Sequence, residues 1–374
     1  MLCNVYAVYI KIMNNENQTI HKSNDNLTIY GWNEKLNQLK QESIYSTLAH
    51  GRVSIVHRTC YEVISGNGLF QCELTGNMMY GKSDDELPCT GDWVIFQPFD
   101  EHKGIIVDSL PRERTLYRKK SGTVADKQVI ASYVDKAFIV QSLDDNFNVR
   151  RVERFMVQIM EENISSVLVL NKADLDFDRQ SVEEQIKHIS SQIPVFFTSI
   201  HQLETIVRLR KSISEGETVV FVGSSGVGKS SLVNALCEKS VLLTSDISLS
   251  TGKGRHTSTR REMVLMDGSG VLIDTPGVRE FGLAIDDPDS LAEVLEISDY
   301  DASCHFKDCK HINEPGCAVL EAVSSGVLDR KVYESYLKLR REAWHFSTSE
   351  YEKRKRDKSF SKLVDEVKKR KANR

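Results

Sequence analysis

Three short motifs in this chain of 374 residues follow one another in an order that sharply limits how the chain can be threaded. Asn171-Lys172-Ala173-Asp174, of the form N-K-x-D, closes the apolar run Val167-Leu168-Val169-Leu170. The glycine-rich loop Gly223-Ser224-Ser225-Gly226-Val227-Gly228-Lys229-Ser230 comes only afterwards, and Asp274-Thr275-Pro276-Gly277, of the form D-x-P-G, follows that. Each motif ends or follows a strand-like run, which is where an open α/β sheet presents its ligand-binding turns. A base-reading motif that precedes its phosphate loop requires a permuted connection of the usual sheet.

The chemistry of the three motifs is legible one residue at a time. The loop matches G-x-x-x-x-G-K-[ST], with strand Thr218–Val222 before it and a helix, Ser231–Cys237, expected after it. Its glycines let successive backbone N–H groups converge on phosphate oxygens, and the helix N-terminus adds its positive dipole end. Lys229 is placed to reach the β- and γ-phosphates and Ser230 to ligate Mg²⁺. In N-K-x-D the carboxylate of Asp174 accepts from N1 and the 2-amino group of guanine, which adenine lacks, so GTP is favoured over ATP. Asp274 is a candidate to hold Mg²⁺ through water, and Gly277 N–H to sense the γ-phosphate. Val278 stands next, where Ras-like enzymes carry the glutamine that positions attacking water.

Gly252 to Arg260 is a polar segment suited to no core, and it reads as a switch that a γ-phosphate would order. Thr257 or Thr259 is the expected Mg²⁺ ligand here. His256 either orients the hydrolytic water or is a solvated loop histidine.

Eight cysteines raise the question of disulfides, and their spacing answers it. Cys304, Cys309 and Cys317 crowd into one window with His311, while the other five are scattered. Three thiolates and an imidazole form the usual closed set for a structural Zn²⁺, with no position left for water. His305 is the rival to His311.

Around these motifs the chain divides into several bodies. Short apolar runs at Val53–Val56, Tyr61–Ile64, Leu69–Leu74, Trp93–Phe96 and Ile105–Val107 predict a small antiparallel barrel of the OB type. A lead-in helix is expected around Trp32–Gln41. From Ala137 onward six strands, at Ala137–Val140, Val167–Leu170, Val195–Phe197, Thr218–Val222, Met263–Met266 and Val271–Ile273, alternate mostly with helices, the pattern of a doubly wound sheet. Val152, Phe155, Ile159 and Met160 are spaced as one buried helix face. Asp286-Asp287-Pro288-Asp289 marks a boundary, and a helix is expected over Asp329–His345. The expected division is an extension over 1–46, a barrel over 47–112, a GTPase domain over 113–285, a zinc-binding helical module over 286–345 and a basic tail over 346–374.

The formal net charge of −4 carries no global sign of nucleic-acid binding. Between Tyr351 and Arg374, however, eleven Lys/Arg face four Asp/Glu, a local excess of +7. Beside an OB-like barrel and a small metal module, such a tail favours RNA phosphates. No stretch is long and apolar enough to span a bilayer. Leu2 to Ile10 lacks a basic leader and a cleavage site, so the expected location is the cytoplasm. A monomer is expected.

Together these residues resemble the ribosome small-subunit-dependent GTPase family, RsgA or YjeQ, over about Leu48 to Leu339. The marks are the motif order, Gly223 to Ser231, Gly254-Arg-His-Thr-Ser-Thr259, Asp274 to Gly282, and Cys304 to Cys317 with Glu314-Pro315 inside. The resemblance implies binding of the small ribosomal subunit and its rRNA late in maturation, and hydrolysis of GTP to GDP and phosphate stimulated by that subunit. Two positions depart from the family pattern. Ser258 replaces the middle Thr of His-Thr-Thr-Thr, and Thr198-Ser199-Ile200 stands where Ser-Ala is frequent, with Ser199 as the base-supporting residue. The permuted order also puts the switches just before the zinc module, so loss of γ-phosphate would shift that module directly, with the barrel less coupled. The rival reading is an RNA-binding assembly protein that uses GTP as a structural ligand or slow switch. A P-loop ATPase or nucleotide kinase is disfavoured by Asn171 and Asp174.

Overall fold

The computed structural model describes residues 27–119, 127–145, 147–237, 261–274, 291–292, 295 and 297–347. Five strands form the first body: β1 (Ala49–Val56), β2 (Tyr61–Ser65), β3 (Gly68–Leu74), β4 (Trp93–Asp100) and β5 (Lys103–Ser109). They run in the cyclic order β1-β2-β3-β5-β4, closed by the antiparallel β1–β4 pairing. Closure removes the exposed edges a five-stranded sheet would otherwise present. The barrel is not wholly antiparallel as expected: β3 and β5 are parallel, with Cys72 opposite Gly104. Consecutive hairpins cannot close five strands, since an odd number cannot alternate direction all the way round.

Inside the barrel Val53, Val63, Phe70, Cys72, Val94, Phe96 and Ile106 form one core, and Gly104 leaves room for the Phe96 ring, which a Cβ there would meet at 2.7 Å. The lead-in helix spans Glu34–Glu42. Asn33 caps it by accepting from Leu36 N at 3.1 Å, and Leu36 packs with Trp93, Ile95 and Leu110. Between β3 and β4 a short helix spans Gly76–Gly81, capped by the Thr75 hydroxyl. A hairpin of β6 (Leu116–Lys119) and β7 (Lys127–Ala131) links the barrel to the rest of the chain.

All six expected α/β strands form: β8 (Lys136–Ser142), β9 (Ser165–Asn171), β10 (Val195–Thr198), β11 (Thr218–Val222), β12 (Glu262–Leu265) and β13 (Val271–Asp274). Their order is β10-β9-β8-β11-β13-β12, parallel except for β12. Both faces are covered, which is why the strands read as continuous apolar runs. Ile139, Leu168, Val220 and Ile273 face one core with Phe155 and Ile159; Phe138, Val169, Phe221 and Leu272 face another with Leu209 and Leu232. The helix Val149–Glu161 buries Val152, Phe155, Met156 and Ile159. Met160, expected on that face, is 38% exposed; Met156, four residues beyond Val152, takes its place as the helical repeat requires.

The helices Ala318–Ser324 and Arg330–Ser347 lie beyond the sheet. The second docks on Val149–Glu161, where Arg154 pairs with Glu342 at 2.7 Å and the Ser335 hydroxyl donates to buried Glu153 at 2.6 Å. The C-terminal body therefore leans on the half of the sheet that carries β8 and β9. The barrel meets the opposite edge, with Ile55 of β1 opposite Glu262 of β12. Chain order suggested the reverse attachment, because it does not reveal which sheet edge stays free. No helix of the described residues is long and apolar enough to cross a membrane.

Candidate nucleotide site and metal centre

The carboxyl ends of β8, β9, β11 and β13 lie side by side, and the three motifs leave from them. The phosphate loop leaves β11 at Val222 and enters the helix Lys229–Cys237. Gly223, Gly226 and Gly228 take φ of 149°, 83° and 91°, which L side chains rarely adopt. A Cβ on Gly223 would meet the Val140 carbonyl at 2.4 Å, and one on Gly228 the Asn171 amide at 2.4 Å. Two glycines are thus required by the neighbouring strands as well as by the turn. Lys229 Nζ donates to the carbonyls of Gly223 and Ser224 at 2.6 and 2.7 Å. Its ammonium lies across the mouth of the loop. Ser230 is exposed in the first helical turn, Ser224 and Ser231 are half-buried, and Val227 is buried.

Asn171 joins the base-reading turn to this loop. Its Nδ2 donates to Val227 O at 2.9 Å, and its Oδ1 accepts from Thr198 Oγ1 at 3.3 Å. Asn171, Thr198 and Ser199 are all buried, so each bond forms away from competing water. Ala173 N donates to Thr198 O at 3.0 Å. Ser199 Oγ donates to Asp174 Oδ1 at 2.5 Å. Chiefly through that hydroxyl, the exposed Asp174 carboxyl is held below the ordinary aspartate value and stays an acceptor. Family resemblance alone implied that Ser199 supports the base; here it donates to the carboxylate of Asp174, the last residue of N-K-x-D.

Asp274 ends β13, whose parallel pairing with β11 sets Ile273 opposite Val220. It therefore stands at the same sheet edge as the phosphate loop. His256, Thr257, Gly277 and the rival Mg²⁺ ligand Thr259 lie outside the described residues. Sequence reading missed Asp144, whose Oδ2 accepts from Lys172 Nζ at 2.8 Å. Its signal was a carboxylate two residues past Ser142, at the end of a strand that neighbours both motif strands.

At the other end of the chain Cys304, Cys309, His311 and Cys317 bring four ligand atoms within 4.8 Å of one another. Metal–sulfur and metal–nitrogen bonds of about 2.3 and 2.0 Å imply tetrahedral edges of about 3.8 Å for S···S and about 3.5 Å for S···N. Cys304 and Cys317 Sγ are 3.9 Å apart, and His311 Nδ1 lies 3.6 and 3.4 Å from them. The set fits one tetrahedral metal ion. His311 is buried at φ 56°; its Nε2 faces Asp301 Oδ1 at 3.3 Å, and its carbonyl accepts from Tyr333 Oη at 2.6 Å. Glu314 accepts from the N–H groups of Ile312, Asn313 and Lys310, which hold its carboxyl down at about 2 and shape the knuckle. His305, the rival to His311, is not one of the four and packs its ring edge-on against Phe306. The seven described cysteines are all free of disulfides.

A phosphate loop, a base-reading turn clasped to it, and strands threaded in permuted order define a circularly permuted P-loop GTPase with an attached barrel and Cys₃His cluster. Comparison with known proteins agrees. The family profile described as RsgA GTPase matches residues 109–284. The chain is 76% identical over 350 residues to the small ribosomal subunit biogenesis GTPase RsgA 1 of Bacteroides thetaiotaomicron, covering 94% of this chain and 99% of that protein. It is 38% identical to the corresponding RsgA of Methanosarcina acetivorans, over 87% of this chain and 89% of that one. Among solved structures, YjeQ from Thermotoga maritima matches with a TM-score of 0.60 at 27% identity, over 79% of this chain and 98% of that one. YloQ, described as a circularly permuted GTPase, shares the fold with a TM-score of 0.61 at 21% identity, over 82% of this chain and 99% of that one. The chain belongs to the RsgA GTPase family.

Proposed function

We propose that this protein binds the small ribosomal subunit and its rRNA during late maturation, and hydrolyses GTP to GDP and phosphate when the subunit engages it. The observation that carries the reading is the hydrogen bond from Asn171 to Val227, which makes a base-reading turn and a phosphate loop into one site. Asp174, supported by Ser199, reads the guanine edge. Backbone N–H groups of Gly223 to Ser231 and the ammonium of Lys229 take the phosphates, Lys229 giving up its loop carbonyls to do so. Ser230 and Thr257 hold Mg²⁺, with Asp274 acting through water and Gly277 sensing the γ-phosphate. When bound, the ion neutralises charge on the β- and γ-oxygens.

His256 orients the attacking water, the task that Val278 cannot perform. The Cys304, Cys309, His311 and Cys317 set holds one structural Zn²⁺. The barrel over 47–112, the zinc module over 286–345 and the basic tail over 346–374 flank the GTPase domain over 113–285 and supply RNA contact, in a cytoplasmic monomer.

The test is turnover of GTP against ATP, titrated with purified small subunits. Subunit-stimulated GTP hydrolysis that His256→Ala abolishes, with GTP affinity kept, is the expected result. A slow rate that subunits leave unchanged would favour the rival reading, an RNA-binding protein with GTP as a structural ligand.

A further inference from the structure

We propose that Asp144 is the positioning residue for Lys172: it holds the lysine ammonium to one side, so that the lysine's methylene stem forms a wall of the nucleoside site. The inference rests on the guanine-nucleotide reading of this crevice. Strand β8 lies between β9 and β11 in the sheet, so the turn after β8 sits between the base-reading turn and the phosphate loop. Leu143 N donates to Asn171 O at 2.9 Å and ties the first two turns together.

The two oxygens of Asp144 have separate tasks. Oδ1 accepts from the hydroxyl of buried Ser142 at 2.7 Å, which fixes the carboxylate. Oδ2 accepts from Lys172 Nζ at 2.8 Å. Lys172 has φ of 61°, the left-handed region that non-glycine residues seldom occupy, so its backbone as well as its head group sets its direction. The pair is mostly buried, with side-chain exposures of 35% and 24%. The lysine charge is therefore satisfied by Asp144, whereas Lys229 is the lysine turned to the phosphate loop. What Lys172 offers a ligand is its stem, an apolar surface suited to the face of a purine.

The alternatives make opposite predictions. If Asp144 only added negative charge beside a polyphosphate, removing it would tighten binding. If it contacted the ribose itself, changing Lys172 could not compensate for its loss. The experiment measures Kd of GMP, GDP and IDP by calorimetry, with KM and kcat for GTP, on the full chain. Asp144→Ala is expected to weaken GMP and GDP by the same factor, about tenfold, as expected for a side chain that must be ordered on binding. KM should rise and kcat stay, and the preference for GDP over IDP should persist because Asp174 reads the amino group. Adding Lys172→Met to Asp144→Ala should recover most of the affinity, since an uncharged stem needs no anchor. Asp144→Asn, which keeps a hydrogen bond to the ammonium, should lie between and guards against a folding defect in the alanine variant. Unchanged or tighter binding in Asp144→Ala, or no recovery with Lys172→Met, overturns the inference. Absence of guanine-nucleotide binding by the unaltered protein overturns the functional reading instead.

Discussion

Ile55 in barrel strand β1 lies opposite Glu262 in β12, in antiparallel register, and this pairing makes the barrel continuous with the nucleotide-binding sheet. The next residue back, Arg261, donates to Val129 O of the linking hairpin at 3.0 Å. Glu262 itself sits beside Glu62, and burial, together with that like charge, pushes its carboxyl up. The strand that leaves the expected switch segment is therefore gripped by the barrel and its linker. Any displacement of the barrel acts on β12, the strand beside β13, which carries Asp274.

Arg52 is the polar centre of that junction. It is buried, with its guanidinium donating to Gly91 O at 2.9 Å, Thr218 Oγ1 at 2.8 Å, Tyr133 O at 3.4 Å and to Tyr30 O. Burial pulls its pKa down to about 10, so it remains charged at neutral pH. Arg52→Met keeps bulk and strands these acceptors. Each buried, unpaired acceptor costs about 1–3 kcal/mol, reduced here by the adjoining cavity of about 260 Å³. The expected net loss is about 3 kcal/mol, read in urea titration as barrel unfolding that separates from unfolding of the α/β sheet. A single transition with an unmoved midpoint would show that Arg52 does not join the two bodies.

Asn171→Ala removes the clasp between the base-reading turn and the phosphate loop. Val227 O and Thr198 Oγ1 lose their buried partner, a cost of about 2 kcal/mol. Where nucleotide binding demands the clasped geometry, that cost appears as a Kd for GDP raised about 30-fold. Fluorescent-nucleotide titration checks it, and an unchanged Kd would mean the loop is held by its glycines alone.

Asp174 is expected to carry both base specificity and a pH signature. Asp174→Asn should weaken GDP and shift preference toward xanthine nucleotides, whose edge matches an amide. Because the folded carboxyl is held below its ordinary value of 3.8, guanine binding should be flat above that pH and fall only as pH drops through the lowered value. Ser199→Ala removes the main cause of that depression, so the acid loss should begin at a higher pH. Titration of GDP affinity between pH 3 and 7 in the two proteins measures the displacement. Coincident curves would detach Ser199 from Asp174.

Much of this site was legible because its chemistry is local. A phosphate loop needs its glycines and lysine within eight positions, and a Cys₃His centre declares itself by ligand spacing. Strands buried on both faces were equally plain in their apolar runs. What escaped were relations between distant positions. Asp144 and Lys172 are 28 residues apart, and nothing in either segment names the other until β8 and β9 pair. The β1–β12 contact joins segments about 200 residues apart, and the parallel β3–β5 closure depends on a crossing that the strand pattern does not encode. Met160 was misplaced for a simpler reason: at a helix end, apolar character does not specify which side is covered.

Asp301 supplies the last test, at the metal centre. Its Oδ1 lies 3.3 Å from Nε2 of His311, the nitrogen turned away from the three sulfurs. A carboxylate there fixes the imidazole so that Nδ1 faces the cluster, and it raises the basicity of that nitrogen. Loss of such a partner typically costs 10–100-fold in metal affinity. Elemental analysis should find one Zn²⁺ per chain, and Asp301→Asn should release it to a chelator at about 10–100-fold lower chelator strength. The fold of the barrel and the α/β sheet should survive in that variant, since neither body contains a ligand. Cys309→Ala removes a ligand outright and should unfold the knuckle around Glu314, seen as loss of protection in hydrogen exchange over residues 304–317. Metal retention by Asp301→Asn equal to that of the unaltered protein would show that the backbone of His311, with its φ of 56° and its bond from Tyr333, orients the imidazole unaided.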